Sequence, residues 1–241
     1  MTEVSLLQIL LANGVVLAGA CLQGVAGYGI GTLCAPLLFL INPLFIPGPL
    51  TLNAALLTVM MLVRNRSSLS FRELRFAIGG DIVGTVLAGL TLMVLSTQGF
   101  ELAFGILILL AVILSVAGLR PGLTPRSSTL AGAASGYMGT ITAVGGPPIA
   151  LIYQDQKGPL VRANMSAFFT FASCASIAAL ALSGFIQQRE LKLFLVTFPG
   201  VVAGFALSGL LVNRVPFQAM RPIILSIAAL AGGAAIVRGL S

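Results

Sequence analysis

Read for apolar and polar positions, the chain is a series of long apolar runs cut by short polar or Pro/Gly clusters. The runs cover about residues 4–25, 43–63, 74–96, 100–119, 128–153, 161–184, 191–212 and 219–238. Each is close to the roughly 20 residues a helix needs to cross a hydrocarbon core. None shows the period-2 alternation of a membrane β-strand, so a β-barrel is set aside. The pattern predicts an all-α integral membrane protein of about eight transmembrane helices. Two of the stretches are interrupted. Gly24, Gly27, Gly29 and Gly31 lead to Pro36 in one, and Gly136, Gly139, Gly145 and Gly146 lead to Pro147 and Pro148 in the other.

The two interruptions match in order. Gly24 falls on Gly136, Gly27 on Gly139 and Pro36 on Pro148 at one offset. The match continues with Arg72–Arg75 on Arg189–Lys192, and with Gly80, Gly84 and Gly89 on Gly200, Gly204 and Gly209. The expected organisation is two four-helix repeats, 1–120 and 121–241, in one polytopic domain, with the first helix of each repeat broken by Gly/Pro. Broken apolar segments at corresponding positions of two halves point to a transporter's binding site.

Composition sharpens this. Hydrophobic residues make up 58% of the chain and charged residues 8%, with a mean hydropathy of +1.07. Soluble domains carry about 25% charged residues, so lipid must be this chain's solvent. The net charge of +7 does not point to nucleic acid, because the basic residues sit in short clusters between apolar runs. That is the positive-inside pattern. Placing Arg64, Arg66, Arg72, Arg75, Arg120, Arg126, Arg189, Lys192 and Arg238 inside leaves Lys157, Arg162, Arg214 and Arg221 outside. The expectation is a multi-pass protein of the cell inner (plasma) membrane with both termini cytoplasmic. Four spans per half would give the repeats one orientation, about an axis along the membrane normal. A re-entrant hairpin at Gly24–Pro36, in place of a kinked helix, would revise that parity.

Several chemistries drop out. The chain has no His and no Trp, which excludes histidine proton relays, histidine zinc sites and Ser-His-Asp triads. Cys21, Cys34 and Cys174 are irregularly spaced and read as small packing residues. No Lys or Arg precedes Arg64, so the N-terminus lacks the basic region of a signal peptide, and Leu17–Cys21 is a poor lipoprotein box. No nucleotide-binding motif, nucleophile set or metal cluster occurs. The chain is therefore not read as an enzyme, and no cofactor is expected.

What remains is anion chemistry. An anion inside a bilayer needs its hydration shell replaced, and helix N-termini expose N–H groups and partial positive charge. Glycine permits the turns and the close backbone approach; Pro36 and Pro147-Pro148 stand where half-helices would restart. Each terminus contributes about 0.3–1 kcal/mol, up to ~2 when partly buried. An effective penalty of several kcal/mol per buried ion exceeds that, so further donors must converge. The candidates are Gly27, Gly29, Gly31, Thr51, Asn53, Gly145, Gly146, Pro147, Arg162, Asn164 and Ser166. Competing readings stand beside them. Asn53 and Asn164 equally suit interhelical hydrogen bonds, Arg162 suits a snorkelling membrane-edge anchor, and Gly80, Gly84, Gly89 and their partners suit helix packing. Tyr28, Tyr137 and Gln23 line a path or simply pack. Asp81 is the acid expected inside a span, where it costs roughly 2.5–3.5 kcal/mol on insertion scales. It carries a coupling proton, faces water or pairs with Arg75.

These residues resemble the TauE/SafE family of membrane permeases, the sulfite exporter family, over nearly the whole chain. The resemblance rests on the Gly-rich segment ending at Pro36, the turn and polar helix tip Pro47–Asn53, the basic loop with an acid at Ser70–Glu73, the Gly-Gly-Pro-Pro element Gly145–Pro148, and Arg162–Ser166. Asn53 and Asn164 stand where hydroxyl residues are more usual, and Asp81 where small or apolar residues are. The resemblance implies export or uptake of small sulfur-containing or organic anions, coupled to an ion gradient. The expected function is a secondary transporter of sulfite, sulfonates or related anions. The alternatives are a passive anion channel or a membrane scaffold or assembly subunit. Expected partners are the anion, the lipid bilayer and a coupling H⁺ or Na⁺, with no nucleic acid; homo-oligomerisation is left open.

Overall fold

The first apolar stretch folds into two helices. In this computed structural model, which describes residues 4–65, 71–155, 159–211 and 217–240, helix α1 spans Leu6–Ala26. Arg66, Lys157 and Arg214 lie outside the described residues, as do the side chains of Arg72, Glu73 and Arg221. A capping box starts α1, with Ser5 Oγ accepting from the Gln8 N–H and Gln8 Oε1 accepting from the Ser5 N–H. It ends at Gly27, whose φ of +92°, followed by +133° at Gly29, turns the chain through conformations open to glycine. Helix α2, Ile30–Ile41, then runs back along α1. Ile30 lies against Gly19, Cys34 Sγ donates to the Val15 carbonyl at 3.3 Å, and Gln8 Nε2 donates to the Ile41 carbonyl at 3.1 Å. The first break is an antiparallel hairpin, not a kink.

The second break reaches the same result with different residues. Helix α6, Pro125–Thr142, stays helical through Gly136 and Gly139 and ends at Ala143, φ +60°. Helix α7, Gly146–Tyr153, doubles back, and Ser135 Oγ donates to the Gly145 carbonyl at 2.7 Å. The turn therefore falls beyond the glycines that match Gly24 and Gly27. Pro36 also departs from its expected place, since it lies inside α2 and does not start it. Pro147 and Pro148 do occupy the first turn of α7, where a missing N–H costs nothing.

The remaining helices are α3 Gly48–Asn65, α4 Phe71–Val94, α5 Thr97–Val116, α8 Pro159–Leu182, α9 Gln188–Leu211 and α10 Phe217–Leu240. No strand occurs among the described residues. Among the described residues, six helices are long and apolar enough to cross a membrane: α1, α4, α5, α8, α9 and α10. Helices α2 and α3 are apolar but shorter. Large apolar side chains such as Leu6, Val94, Leu130, Leu182, Leu210 and Leu230 project outward, as a lipid-facing surface requires.

Small residues set the packing. A Cβ added to Gly80, Gly84 or Gly132 would run into the carbonyl of Thr129, Ala133 or Ala77, so α4 and α6 touch backbone to backbone. Gly200 and Gly204 meet the carbonyls of Asn13 and Leu17 in the same way, joining α9 to α1. There Asn13 also donates to the Val196 carbonyl at 2.8 Å and accepts from the Gly200 N–H at 3.1 Å. Gly89 and Gly209 make no such approach.

These contacts fix the helix directions. Numbers rise together along α1 and α9 and along α4 and α6, so both pairs are parallel. Helix α10 is antiparallel to α5, since Gly239 meets Gln98 and Gly232 meets Gly105. Gly48 lies beside Glu190, Ser183 donates to the Gly89 carbonyl, and Arg64 donates to the Gly24 carbonyl at 2.9 Å. One end of the bundle therefore holds Arg189, Lys192 and Arg238, together with the starts of α1 and α9. The other end holds Arg64, Arg75, Arg120, Arg126 and Arg162. Helices α1 and α6 run in opposite directions, where an even number of spans between them predicts the same direction. Each hairpin supplies an extra reversal.

The glycine contacts yield a stability prediction. Gly80→Ala and Gly204→Ala should lower the melting temperature in detergent, because overpacking costs roughly 1–3 kcal/mol. Gly14→Ala and Gly79→Ala, which have nothing within 4 Å, should leave it unchanged or raise it slightly. Equal effects at all four positions would contradict the packing described.

Candidate functional site

The two hairpin turns meet. A Cβ on Gly31 would strike the Ala143 carbonyl, and one on Gly146 would lie 3.0 Å from the Tyr28 ring. Between the turns is a cavity of about 60 Å³. At about 30 Å³ per water in the liquid, that is space for roughly two waters, on the scale of a small oxyanion. The starts of α2 and α7 form two walls, Thr51, Ala54 and Thr58 of α3 a third, and Phe169, Ser173 and Ser176 of α8 a fourth.

Both helix starts are open. Their N-caps are Gly29 and Gly145, and neither makes a side-chain capping bond. Gln23 Oε1 accepts from the Ile30 N–H at 3.0 Å, which leaves the Gly31 and Thr32 N–H groups without an intrahelical acceptor. In α7 the two prolines carry no N–H, so Gly146 supplies the first-turn donor.

Hydroxyl protons decide what else can donate, since each hydroxyl has only one. Thr51 gives its proton to the Pro47 carbonyl at 2.9 Å, Thr58 to Ala55 at 3.0 Å and Ser135 to Gly145 at 2.7 Å. Thr32 Oγ1 is buried with no hydrogen-bond partner. Ser176 shares a 2.8 Å bond with Thr140, in which either can donate. Among the described residues, no charged side chain lines the cavity.

Asp81 lies off the cavity but close to a route into it. It is fully buried on α4, and neither carboxylate oxygen has a hydrogen-bond partner. A Cβ on Gly136 would sit 2.9 Å from Thr85 Oγ1 and 3.0 Å from Asp81 Oδ1. Thr140 donates to Thr85 at 3.5 Å and contacts Ser176, which lines the cavity. A row of buried hydroxyls thus joins the cavity to the neighbourhood of Asp81. Arg75 is not its partner; that guanidinium stacks 4.6 Å over the Phe76 ring.

Of the residues singled out from sequence, Gly29, Gly31, Thr51, Gly145 and Gly146 line the cavity. Gly27 and Pro147 flank it in the chain. Asn53 instead donates to the Pro49 carbonyl and to Thr197 Oγ1 at 2.7 Å, joining α3 to α9. Asn164 is buried away from the cavity lining, and Ser166 donates to the Arg162 carbonyl at 2.7 Å. The Arg162 side chain lies beside Gly27, outside the cavity. Thr32, Thr58, Ser135, Ser173 and Ser176 were not singled out from sequence. Their signal was available in part, because small and hydroxyl residues at 51, 54 and 58 and at 172, 173 and 176 repeat at helical spacing on one face.

Hydroxyl bookkeeping separates Thr32 from its neighbours. Thr32→Val should raise the half-saturating anion concentration about tenfold or more, because a hydrogen bond to a charged group is worth roughly 1.5–3 kcal/mol. Thr58→Val should change it little, and Thr32→Ser should restore it. Saturation curves in reconstituted vesicles measure this; equal effects of the two valines would reject the assignment.

Comparison with curated proteins and with solved structures finds no match. The sequence model of the sulfite exporter TauE/SafE family matches residues 11–235, which include both hairpins and every helix that walls the cavity. The chain therefore belongs to the TauE/SafE sulfite exporter family.

Proposed function

We propose that this protein is a secondary transporter that exports sulfite, sulfonates or related small anions and binds them between the two hairpin turns. Membership of TauE/SafE implies a membrane transporter of sulfur-containing anions. The observation that carries the finer reading is the convergence of two uncapped helix starts on a cavity holding the unpartnered Thr32 hydroxyl. Two termini at up to ~2 kcal/mol each, with N–H and hydroxyl donors added, approach the several kcal/mol that dehydration costs. A cavity without fixed positive charge also lets the anion leave.

Two repeats of opposite orientation, α1–α5 and α6–α10, support alternating access. The glycine contacts exchange between them: Gly80 and Gly84 meet residues 129 and 133, and Gly200 and Gly204 meet residues 13 and 17. Inverted repeats of this kind move against each other around a fixed site. The positive-inside rule then favours the end with Arg64, Arg75, Arg120, Arg126 and Arg162 as cytoplasmic, which puts both termini on the outer face of the inner membrane. That reverses the orientation expected from loop charges with four simple spans per half. Reporter fusions at the two termini and in the 117–124 loop test it. Activity of a periplasm-dependent reporter at the termini alone is the expected pattern, and the opposite pattern rejects this orientation.

Asp81 is the proposed proton-coupling group, with Thr85, Thr140 and Ser176 between it and the anion. Purified protein in liposomes should move sulfite or a sulfonate faster under a pH gradient and show counter-transport, which a passive channel lacks. Asp81→Asn should keep exchange and lose the response to the gradient. If neither sulfite, thiosulfate, sulfoacetate nor a simple carboxylate moves, the transport reading fails. If gradient-driven flux survives Asp81→Asn, the proton reading alone fails.

A further inference from the structure

The central cavity is the first of three that adjoin in a row through shared lining residues. It shares Tyr28, Gly29 and Thr32 with a smaller space of about 30 Å³. That space in turn shares Ser115 and Leu225 with a third cavity, of about 730 Å³. The third cavity lies at the ends of α5 and α7 and the start of α10, the end of the bundle that carries Arg64, Arg75, Arg126 and Arg162. Among the described residues of its lining Arg120 is the charged one, beside Gln154 and Ser226. At the opposite end, the cavities next to Arg189 share no described lining residue with the central one.

We propose that this row of cavities is the anion's loading route, with a vestibule at Arg120 and a gate formed by Tyr28 and Leu225. The inference rests on the central cavity being the transport site. The vestibule is large enough for a hydrated oxyanion. The space behind it holds roughly one water at about 30 Å³ each, so the anion sheds most of its shell there. Leu22, Ile224 and Leu225 offer that space no compensating donors. The Ser115 hydroxyl in the same lining gives its proton to the Ala111 carbonyl at 2.8 Å. Thr32, whose hydroxyl is unpartnered, lines both inner cavities and offers the anion a donor as it passes from one to the other. Arg120 has a distinct task. The C-terminal ends of α5 and α7 border the vestibule with their partial negative charge, which repels an anion. Gln154 Nε2 donates to the Leu119 carbonyl at 2.6 Å, answering one carbonyl there, and the Arg120 guanidinium opposes the rest of the field.

The chain contains no Trp, so one introduced indole reports anion access without any transport assay. Phe169→Trp places it in the central cavity and Leu151→Trp in the vestibule. Iodide is the probe. Adding Leu225→Phe should lower iodide quenching of the Phe169→Trp reporter and leave that of Leu151→Trp unchanged, while Leu225→Ala should raise the former. Arg120→Gln should weaken quenching of Leu151→Trp roughly two- to fivefold, as an exposed charge contact does, with Arg120→Lys restoring it. Quenching of Phe169→Trp that ignores both Leu225 variants overturns the route, even if sulfite is transported. The expected quenching pattern in a protein that moves no anion would uphold the route and reject the transport reading.

Discussion

A backbone N–H buried in a bilayer without a partner costs several kcal/mol, so broken helices survive there only inside protein or along a cavity. The rest of this molecule is arranged around that constraint. Each hairpin turn exposes first-turn N–H groups, and each is enclosed by the other turn and by α3 and α8. The sequence limits how many groups must be satisfied. Gln23 takes the Ile30 N–H, and the prolines of α7 remove two donors outright. What remains unsatisfied is concentrated at Gly31, Thr32 and Gly146, all facing one small space.

Such a space exists only because helices approach within backbone contact on either side of it. Gly80, Gly84 and Gly132 bring α4 onto α6, and Gly200 and Gly204 bring α9 onto α1. In lipid no hydrophobic force drives these contacts; packing and interhelical hydrogen bonds do. Asn13 on α1 and the Thr85–Thr140–Ser176 row supply such bonds. Asn53 to Thr197 and Arg64 to Gly24 and Ser208 do the same for α3, with the Arg64 guanidinium also 4.5 Å over Phe205. Residues with a functional look in the sequence thus serve as fasteners.

The apolar runs and the Gly/Pro breaks made the helices and the two interruptions legible, because hydrophobic length and glycine freedom act locally. Helix direction was not legible. A kinked helix and a hairpin have the same composition; Gly27 and Gly29 read alike in both, and only the contacts of Ile30 and Cys34 with α1 distinguish them. Local glycine content also misled in the second half. Gly136 and Gly139 stay helical because their missing side chains admit Asp81, Thr85 and the returning Gly145. The actual turn uses Ala143, whose positive φ no propensity would suggest. At the site, the glycines that line the cavity follow from the turn chemistry, whereas the hydroxyls depend on which face α3 and α8 present. That choice belongs to tertiary packing, and it sends Thr51 toward the cavity and Asn53, two residues on, toward α9.

Among the described residues no basic side chain lines the cavity, and this has its own physical consequence. A guanidinium there would be a buried charge for the whole of the empty cycle, at several kcal/mol. Bound to an oxyanion it would make charge-assisted bonds about twice as strong as neutral ones, slowing release. Dipoles and hydroxyls avoid both costs, but they leave the anion's charge uncompensated during transit. Under the proposed coupling, a proton on Asp81 offsets a monoanion held by Thr32 and the helix starts. Among the described residues, basic side chains stand at the two ends of the bundle, more of them at the vestibule's end where they aid approach, and none lines the proposed site.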